Sequence, residues 1–262
     1  MNAVEIPPIA PEALDLFSDS SRAAIQRLAT SLASSNFPDL TPIPKTRLAA
    51  VLVLLYEENG KLRVLLTTRS KALRTHAGQT ALPGGRVDET DKSLVETAFR
   101  EAFEEVQLPL NCPDIHLIGL HEPFLSLHKL IVTPVFALLT RTELLGELKA
   151  SEGEVSRIFS HPLEALLDPQ LSQHEASLVA IGSDDWPYET SYYSTSDSAV
   201  AVLGNTFYRM HRFRTVASPI KGLTSDILIR TAEVAYDQPT VYERFAPGQI
   251  WGFEDVLKAS SS

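Results

Sequence analysis

The sequence predicts an α+β fold built on strand pairs, not a doubly wound parallel sheet. Two β-rich apolar runs, residues 48–56 and 62–69, flank Glu57-Glu58-Asn59-Gly60, and Asn-Gly between such runs is a strong hairpin signal. A long helical pattern over 93–106 follows, and strands and helices then come in runs with no regular βαβ rhythm. The chain has 262 residues, 44% hydrophobic and 21% charged, enough for a sizeable core in one domain with extensions.

Taken in order, Asp19, Ser20 and Ser21 offer capping oxygens ahead of Ile25, Leu28, Ala29 and Leu32, the spacing of an amphipathic helix. Residues 37–44, with three prolines, read as an irregular lead-in to the hairpin. After the hairpin, a Gly/Pro-rich stretch over 78–85 leads to the 93–106 helix, which Pro109 and Pro113 close. Residues 115–120 and 130–139 read as strands, and 162–167 as a short helix stopped by Pro169. The Ser-, Asp- and Tyr-rich stretch 171–216 is the least regular part and reads as an insertion. A last helix over 224–236 places Ile227, Thr231 and Val234 on one side, flanked by Leu228, Ala232 and Ala235. The expected organisation is a helical extension over 1–45, a domain over 46–236 and a tail over 237–262.

Composition removes several classes of function. The formal net charge of −10 argues against a nucleic-acid binder, which carries a basic footprint. A single cysteine, Cys112, excludes an internal disulfide framework and a Cys-built zinc site. Among the seven histidines no H-E-x-x-H spacing occurs, so His121, His128 and His211 are expected in ordinary packing. The longest apolar run is nine residues, too short to span a bilayer. Residues 1–11 lack a signal-peptide pattern and 258–262 lack a peroxisomal address. The expectation is a soluble intracellular protein, with peroxisome, mitochondrion and cytoplasm all open, and monomer and homodimer equally so.

The chemistry concentrates in Arg100-Glu101-Ala102-Phe103-Glu104-Glu105. At about 100° per residue, Glu101, Glu104 and Glu105 share one helical face, with Val95, Phe99, Phe103 and Val106 expected to pack from the other. Three adjacent carboxylates repel one another, and a hard divalent cation relieves that repulsion. Three glutamates alone also describe a solvated acidic face. The apolar opposite face and the upstream Pro83-Gly84-Gly85, where backbone can approach a ligand closely, argue for a site.

These residues resemble the Nudix hydrolases, whose box is G-x5-E-x7-R-E-U-x-E-E-x-G-U. Here the stretch reads Gly85-x5-Asp91-x8-Arg100-Glu101-x2-Glu104-Glu105-x-Gln107-Leu108. Aspartate stands for the first glutamate, the spacing is one residue longer, and Gln107 replaces the final glycine, which bears on the turn leaving the helix. The preceding stretch runs Leu65-Leu66-Thr67-x-Arg69-Ser70-x3-Arg74-x3-Gly78-x-Thr80-Ala81-Leu82-Pro83-Gly84-Gly85. It is similar to the signature of the coenzyme A diphosphatase branch, with Leu82 in place of phenylalanine, and that branch tends to carry the longer box. Glu152-Gly153-Glu154-Val155 resembles the family's loop before a short helix, and Gly222-Leu223-Thr224 the start of its last helix. The likeness covers roughly 46–236 and is weakest over 171–216.

The resemblance implies an α/β/α sandwich with a mixed central sheet and an extra N-terminal helix. It implies hydrolysis of the diphosphate bridge of CoA or a derivative, giving 3′,5′-ADP and 4′-phosphopantetheine or its acyl form. Mg²⁺ or Mn²⁺ would be held by Glu101, Glu104 and Glu105, with Arg100 orienting a carboxylate and Glu104 or Glu154 as general base. Arg69 and Arg74 would meet substrate phosphates, with bracing of a neighbouring carboxylate as the alternative role, and Gly84 and Gly85 would admit the substrate. Other readings keep the chemistry on oxidised nucleoside triphosphates, NADH or dinucleoside polyphosphates, or make the domain a silent binding module. Lys71 and His76 read as surface residues. Trp186, Tyr188, Tyr192 and Tyr193 read as a cluster pinning a long loop, or as a wall for a base, and Trp251 as the anchor of the tail. Charge is segregated along the chain. Residues 88–105 carry a net of −5, while 61–86 hold six bases and no acid.

Overall fold

The computed structural model describes residues 6–35, 37–201 and 206–261. The first five residues of the expected extension, residues 202–205 of the expected insertion and the last residue of the expected tail lie outside the described residues. In chain order the elements are α1 (Pro11–Leu14), α2 (Asp19–Ser34), β1 (Leu48–Glu58), β2 (Lys61–Arg69), β3 (Thr80–Ala81), β4 (Gly84–Arg86) and α3 (Leu94–Val106). There follow β5 (Ile115–Leu120), β6 (Phe124–Leu125), β7 (Ile131–Leu139), β8 (Val155–Pro162), β9 (Tyr193–Val200), β10 (Thr206–Phe213), β11 (Ile220–Lys221), α4 (Gly222–Tyr236) and α5 (Phe253–Ser261).

The predicted hairpin forms where the Asn-Gly pair puts it. Glu58 pairs with Lys61, and Asn59 and Gly60 both take positive φ, 53° and 73°, which this two-residue turn requires. The sheet runs β3-β2-β1-β7-β5, with β4 on β1, β6 on β7 and β8 on β2. It is mixed: β1 and β7 are parallel and the other pairs antiparallel. Alternation along β1 divides the core. Val53 and Leu55 join Ile25, Leu28, Leu228 and Ala232 on the face covered by α2 and α4. Ala50, Leu52 and Leu54 join Leu94, Ala98, Ala102 and Val106 on the face covered by α3. The α/β/α layering expected from the family resemblance is therefore present.

Away from α3, the sequence reading differs from the structure at β8, over 171–216, over 162–167 and at Trp251. Residues 155–162 form β8, an edge strand on β2, whose interleaved Ser156, Arg157, Ser160 and His161 mask the apolar pattern. The stretch 171–216 is less irregular than expected: β9 and β10 pair in register from Tyr193 opposite Phe213 to Val200 opposite Thr206. Their exposed Ser, Thr and Asp residues give no apolar signal. The short helix over 162–167 is a 3₁₀ turn, Leu163–Leu166. Trp251 is 65% exposed and touches the fold through a stack on Phe245, whereas Phe253 at the start of α5 is buried in the α3-side core. The expected aromatic cluster divides in two: Trp186, fully buried with its indole N–H donating to the Thr190 carbonyl, meets Tyr188 edge-on, while Tyr193 stacks on Tyr242. No helix among the described residues is long and apolar enough to cross a membrane.

Two buried histidines bear on stability. Burial pushes His161 and His211 down to about 4. Between there and the ordinary value near 6.5 the unfolded chain binds the extra protons, so stability is lost as pH falls through that window. Each contributes on the order of 1–2 kcal/mol of this loss at pH 5. The urea midpoint is expected to fall between pH 7 and pH 4.5, and His161→Leu to flatten part of that fall. An equally steep profile in the variant would rule His161 out as a source.

Candidate active site

Helix α3 is fixed at both ends. The Ser93 hydroxyl accepts the Glu96 N–H at 3.1 Å, and the Glu96 carboxylate reaches back to the Lys92 N–H at 2.7 Å. At the other end Gln107 takes φ 57°, the left-handed conformation usually given to glycine, with its N–H on the Phe103 carbonyl. The departure from the family's glycine thus leaves the turn intact at a conformational cost. The Ser151 N–H donates to the Glu105 carbonyl at 2.8 Å, so the loop before β8 closes the helix end.

The buried face of α3 is Leu94, Thr97, Ala98, Ala102, Glu105 and Val106. Phe103, expected in the core, is 47% exposed, and Val95 and Phe99 are half-buried. Ala98 and Ala102 centre the contact because small side chains let the helix lie close to β1 and β4. Phe103, a step of about 100° beyond Ala102, is left on the rim. That rotation carries Glu105 inward.

The three glutamates therefore differ. Glu105 is 5% exposed, accepts the Gly84 N–H at 3.3 Å and faces the Arg69 guanidinium at 3.5 Å. Burial pushes its carboxyl up to about 7 against the pull of Gly84 and Arg69, with the charges of Glu101 and Glu154 adding to the rise. Burial also raises Glu101, against Arg100. The Glu104 side chain is 50% exposed.

The glycines set how close the strand comes. A Cβ on Gly84 would overlap the Ala50 carbonyl on β1, and one on Gly85 would lie 2.5 Å from the Glu101 carboxyl. Arg100 ties the acids together. Its Nε and Nη2 each donate to Asp91 at 3.0 Å, Nη1 donates to Glu101 at 2.9 Å and Glu104 at 3.0 Å, and Nη2 also donates to the Arg86 carbonyl. Asp91 is 4% exposed and further accepts the Asp88 N–H and the Thr97 hydroxyl. Burial would raise its carboxyl, but these bonds, led by Arg100, hold it below the usual range. The sequence marked Asp91 only as a departure from the glutamate pattern; its depth and four bonds emerge from the fold.

Of the other expected site residues, Glu154 is exposed on the turn before β8, where its charge acts on Glu105. Arg69 Nη1 lies 3.5 Å from the Glu105 carboxylate. Arg74 is exposed on the loop between β2 and β3, and no ion pair holds it among the described residues. The conformation also shows no ready-made cage: among the described residues no three acidic, His or Cys side chains are posed to hold a metal ion. Arg100 draws Glu101 and Glu104 to itself while Glu105 leans on Gly84 and Arg69. The donor set nonetheless fits a hard divalent cation. All three donors are carboxylates, and the buried one has its one ion-pair partner among the described residues, Arg69, at the limit of hydrogen bonding.

A model of the NUDIX domain matches residues 46–180. Nudix hydrolase 15, mitochondrial, of Arabidopsis thaliana is 36% identical over 78% of this chain and 64% of its own length. Nudix hydrolase 22, chloroplastic, of the same plant is 34% identical over 74% of this chain and 57% of its own. The uncharacterized Nudix hydrolase NudL of Pectobacterium atrosepticum is 41% identical over 48% of this chain and 63% of its own. The chain belongs to the Nudix family. It spans less than two thirds of the length of these relatives.

The strained turn at Gln107 gives a direct check. Gln107→Gly is expected to stabilise the protein by about 0.5–1 kcal/mol, read as a rise in the melting midpoint. A fall would mean that the Gln107 side chain contributes more than its backbone costs.

Proposed function

We propose that the protein is a Mg²⁺- or Mn²⁺-dependent diphosphatase acting on coenzyme A or a CoA derivative. The observation that carries the reading is the juxtaposition of Glu101, Glu104 and Glu105 with the glycine strand and the Asp91–Arg100 fork. The 65–85 stretch, similar to the CoA branch signature, selects the substrate among Nudix chemistries. Membership of the Nudix family supports the bond class. A silent binding domain is disfavoured because it would gain nothing from keeping three repelling carboxylates on one helix.

Glu101, Glu104 and Glu105 would hold the cation, which when bound neutralises diphosphate charge and lowers the pKa of water. Glu105 is held in place by Gly84 and Arg69, and Arg100 positions Glu101 and Glu104 through its anchor on Asp91. Glu154, exposed and close enough for its charge to act on Glu105, would accept the proton of the attacking water, with Glu104 the other candidate acceptor. Arg74, without a carboxylate partner, is free to meet a substrate phosphate. Water attacks one phosphorus of the bridge, the P–O–P bond breaks, and the other phosphate leaves with the bridging oxygen.

Incubation with CoA, acetyl-CoA, NADH and 8-oxo-dGTP under Mg²⁺ or Mn²⁺, read by mass spectrometry, tests the reading. We expect 3′,5′-ADP from a CoA species, and at least a hundredfold loss of turnover in Glu101→Gln and Glu105→Gln with folding retained. No 3′,5′-ADP from any CoA species would sink the substrate assignment. Unchanged turnover in both variants would sink the metal assignment.

A further inference from the structure

A cavity of about 290 Å³ lies between the 121–127 loop, β10, the start of α4 and the 244–253 segment. Part of the lining is apolar. Phe245 and Trp251 stack with ring centres 5.6 Å apart and planes 20° apart, Phe124 and Leu223 also line the cavity, and the Arg244 guanidinium, 5.0 Å over the Phe245 ring, joins this part to a polar one. An indole left 65% exposed at the mouth of a cavity is surface that a ligand would cover. The other side is polar and loosely satisfied. The Asp226 carboxylate accepts the Tyr208 hydroxyl at 2.7 Å and the Arg244 guanidinium at 3.4 Å, and its side chain keeps 18% exposure. Arg244 Nε stands 3.8 Å from Glu233 and makes no hydrogen bond.

The cavity is tied to the glycine strand by two short routes. The Thr224 hydroxyl, one residue beyond Leu223, donates at 3.4 Å to the carbonyl of Thr80, which starts β3, the strand that precedes β4. On the other side, Phe124 pairs with Val132 of β7, Val132 with Ala49 of β1, and Ala49 with Arg86 of β4. Two of the segments that line the cavity, the 121–127 loop and the start of α4, are thus joined to the part of the sheet that carries Gly84 and Gly85.

We propose that this cavity receives the nucleobase of the substrate, an amino-bearing purine. The ring stacks on Trp251 and its exocyclic amine donates to Asp226, while Arg244 donates to a ring nitrogen. An alkyl chain fits the apolar lining but would strip water from Asp226 and Arg244 with no hydrogen bond returned. A simple cation satisfies Asp226 and leaves the aromatic wall unused. A purine uses both sides. The assignment rests on the diphosphatase reading only for which molecule brings the base.

Metal-free titration separates the two. The chain has two tryptophans, of which Trp186 is fully buried, so a ligand-induced change in emission reports Trp251. Adenosine and 3′,5′-ADP are expected to quench it saturably, and pantetheine and octanoate to leave it unchanged. Inosine, with a carbonyl in place of the amine, is expected to bind at least fivefold more weakly, and Asp226→Asn to erase that preference. Trp251→Phe should abolish the quench while calorimetry still detects adenosine. Quenching by octanoate or pantetheine instead of adenosine, or no response to adenosine, overturns the proposal, as does inosine binding equally well to the wild-type protein. CoA hydrolysis without adenosine binding in the metal-free protein sinks the cavity assignment alone. Adenosine binding without CoA hydrolysis sinks the substrate reading alone.

Discussion

Carboxylates close together on one helix repel one another, and in this protein the repulsion between Glu101 and Glu104 is held in check by one shared guanidinium. Arg100 reaches Glu101 and Glu104 with one nitrogen and grips the buried Asp91 with two others. The Asp91 carboxylate is in turn fixed by the Asp88 N–H and the Thr97 hydroxyl. The loop before α3, the helix and the glycine strand are thus one hydrogen-bonded unit, through the Arg100 bond to the Arg86 carbonyl. A network of this kind fixes geometry more than it adds stability, because burying paired charges carries a desolvation cost close to the attraction gained. What it secures is a constant presentation of Glu101 and Glu104.

Packing does the same for Glu105. Ala98 and Ala102 bring α3 down on β1, and the glycines of β4 let the strand come up under the helix without a Cβ in the way. The carboxylate is left almost without water and with weak cationic company, and its raised pKa expresses that deficit. The site is strained toward accepting positive charge. Arg69 supplies part of it from the end of β2, where the register shifts between Thr68 and Arg69.

Much of this was legible in the sequence because it rests on local rules. Asn59-Gly60 fixed the hairpin, helical spacing grouped Glu101 with Glu104 and Glu105, and the Gly84-Gly85 pair marked a close approach. What stayed hidden depends on tertiary contacts. Which face of α3 turns inward is decided by the fit of two alanines, so Phe103 was misplaced by treating all apolar residues alike. The strand β8 lies at a sheet edge and β9 is largely exposed, while β10, central in its small sheet, interleaves Arg and His with its apolar residues, so none of the three carries a clean period-two apolar signal. The depth of Asp91 depends on Thr97 and Asp88 closing over it, and a pattern comparison sees only a shorter acid.

The account depends on α3 offering a cation site made from these side chains. The most direct measurement is the Mn²⁺ dissociation constant, read by electron paramagnetic resonance without substrate, in the wild-type protein and in Glu105→Gln. The account predicts one or more saturable sites in the wild type and at least a tenfold weaker constant in the variant, with the fold unchanged. Equal affinity in the two proteins would contradict it.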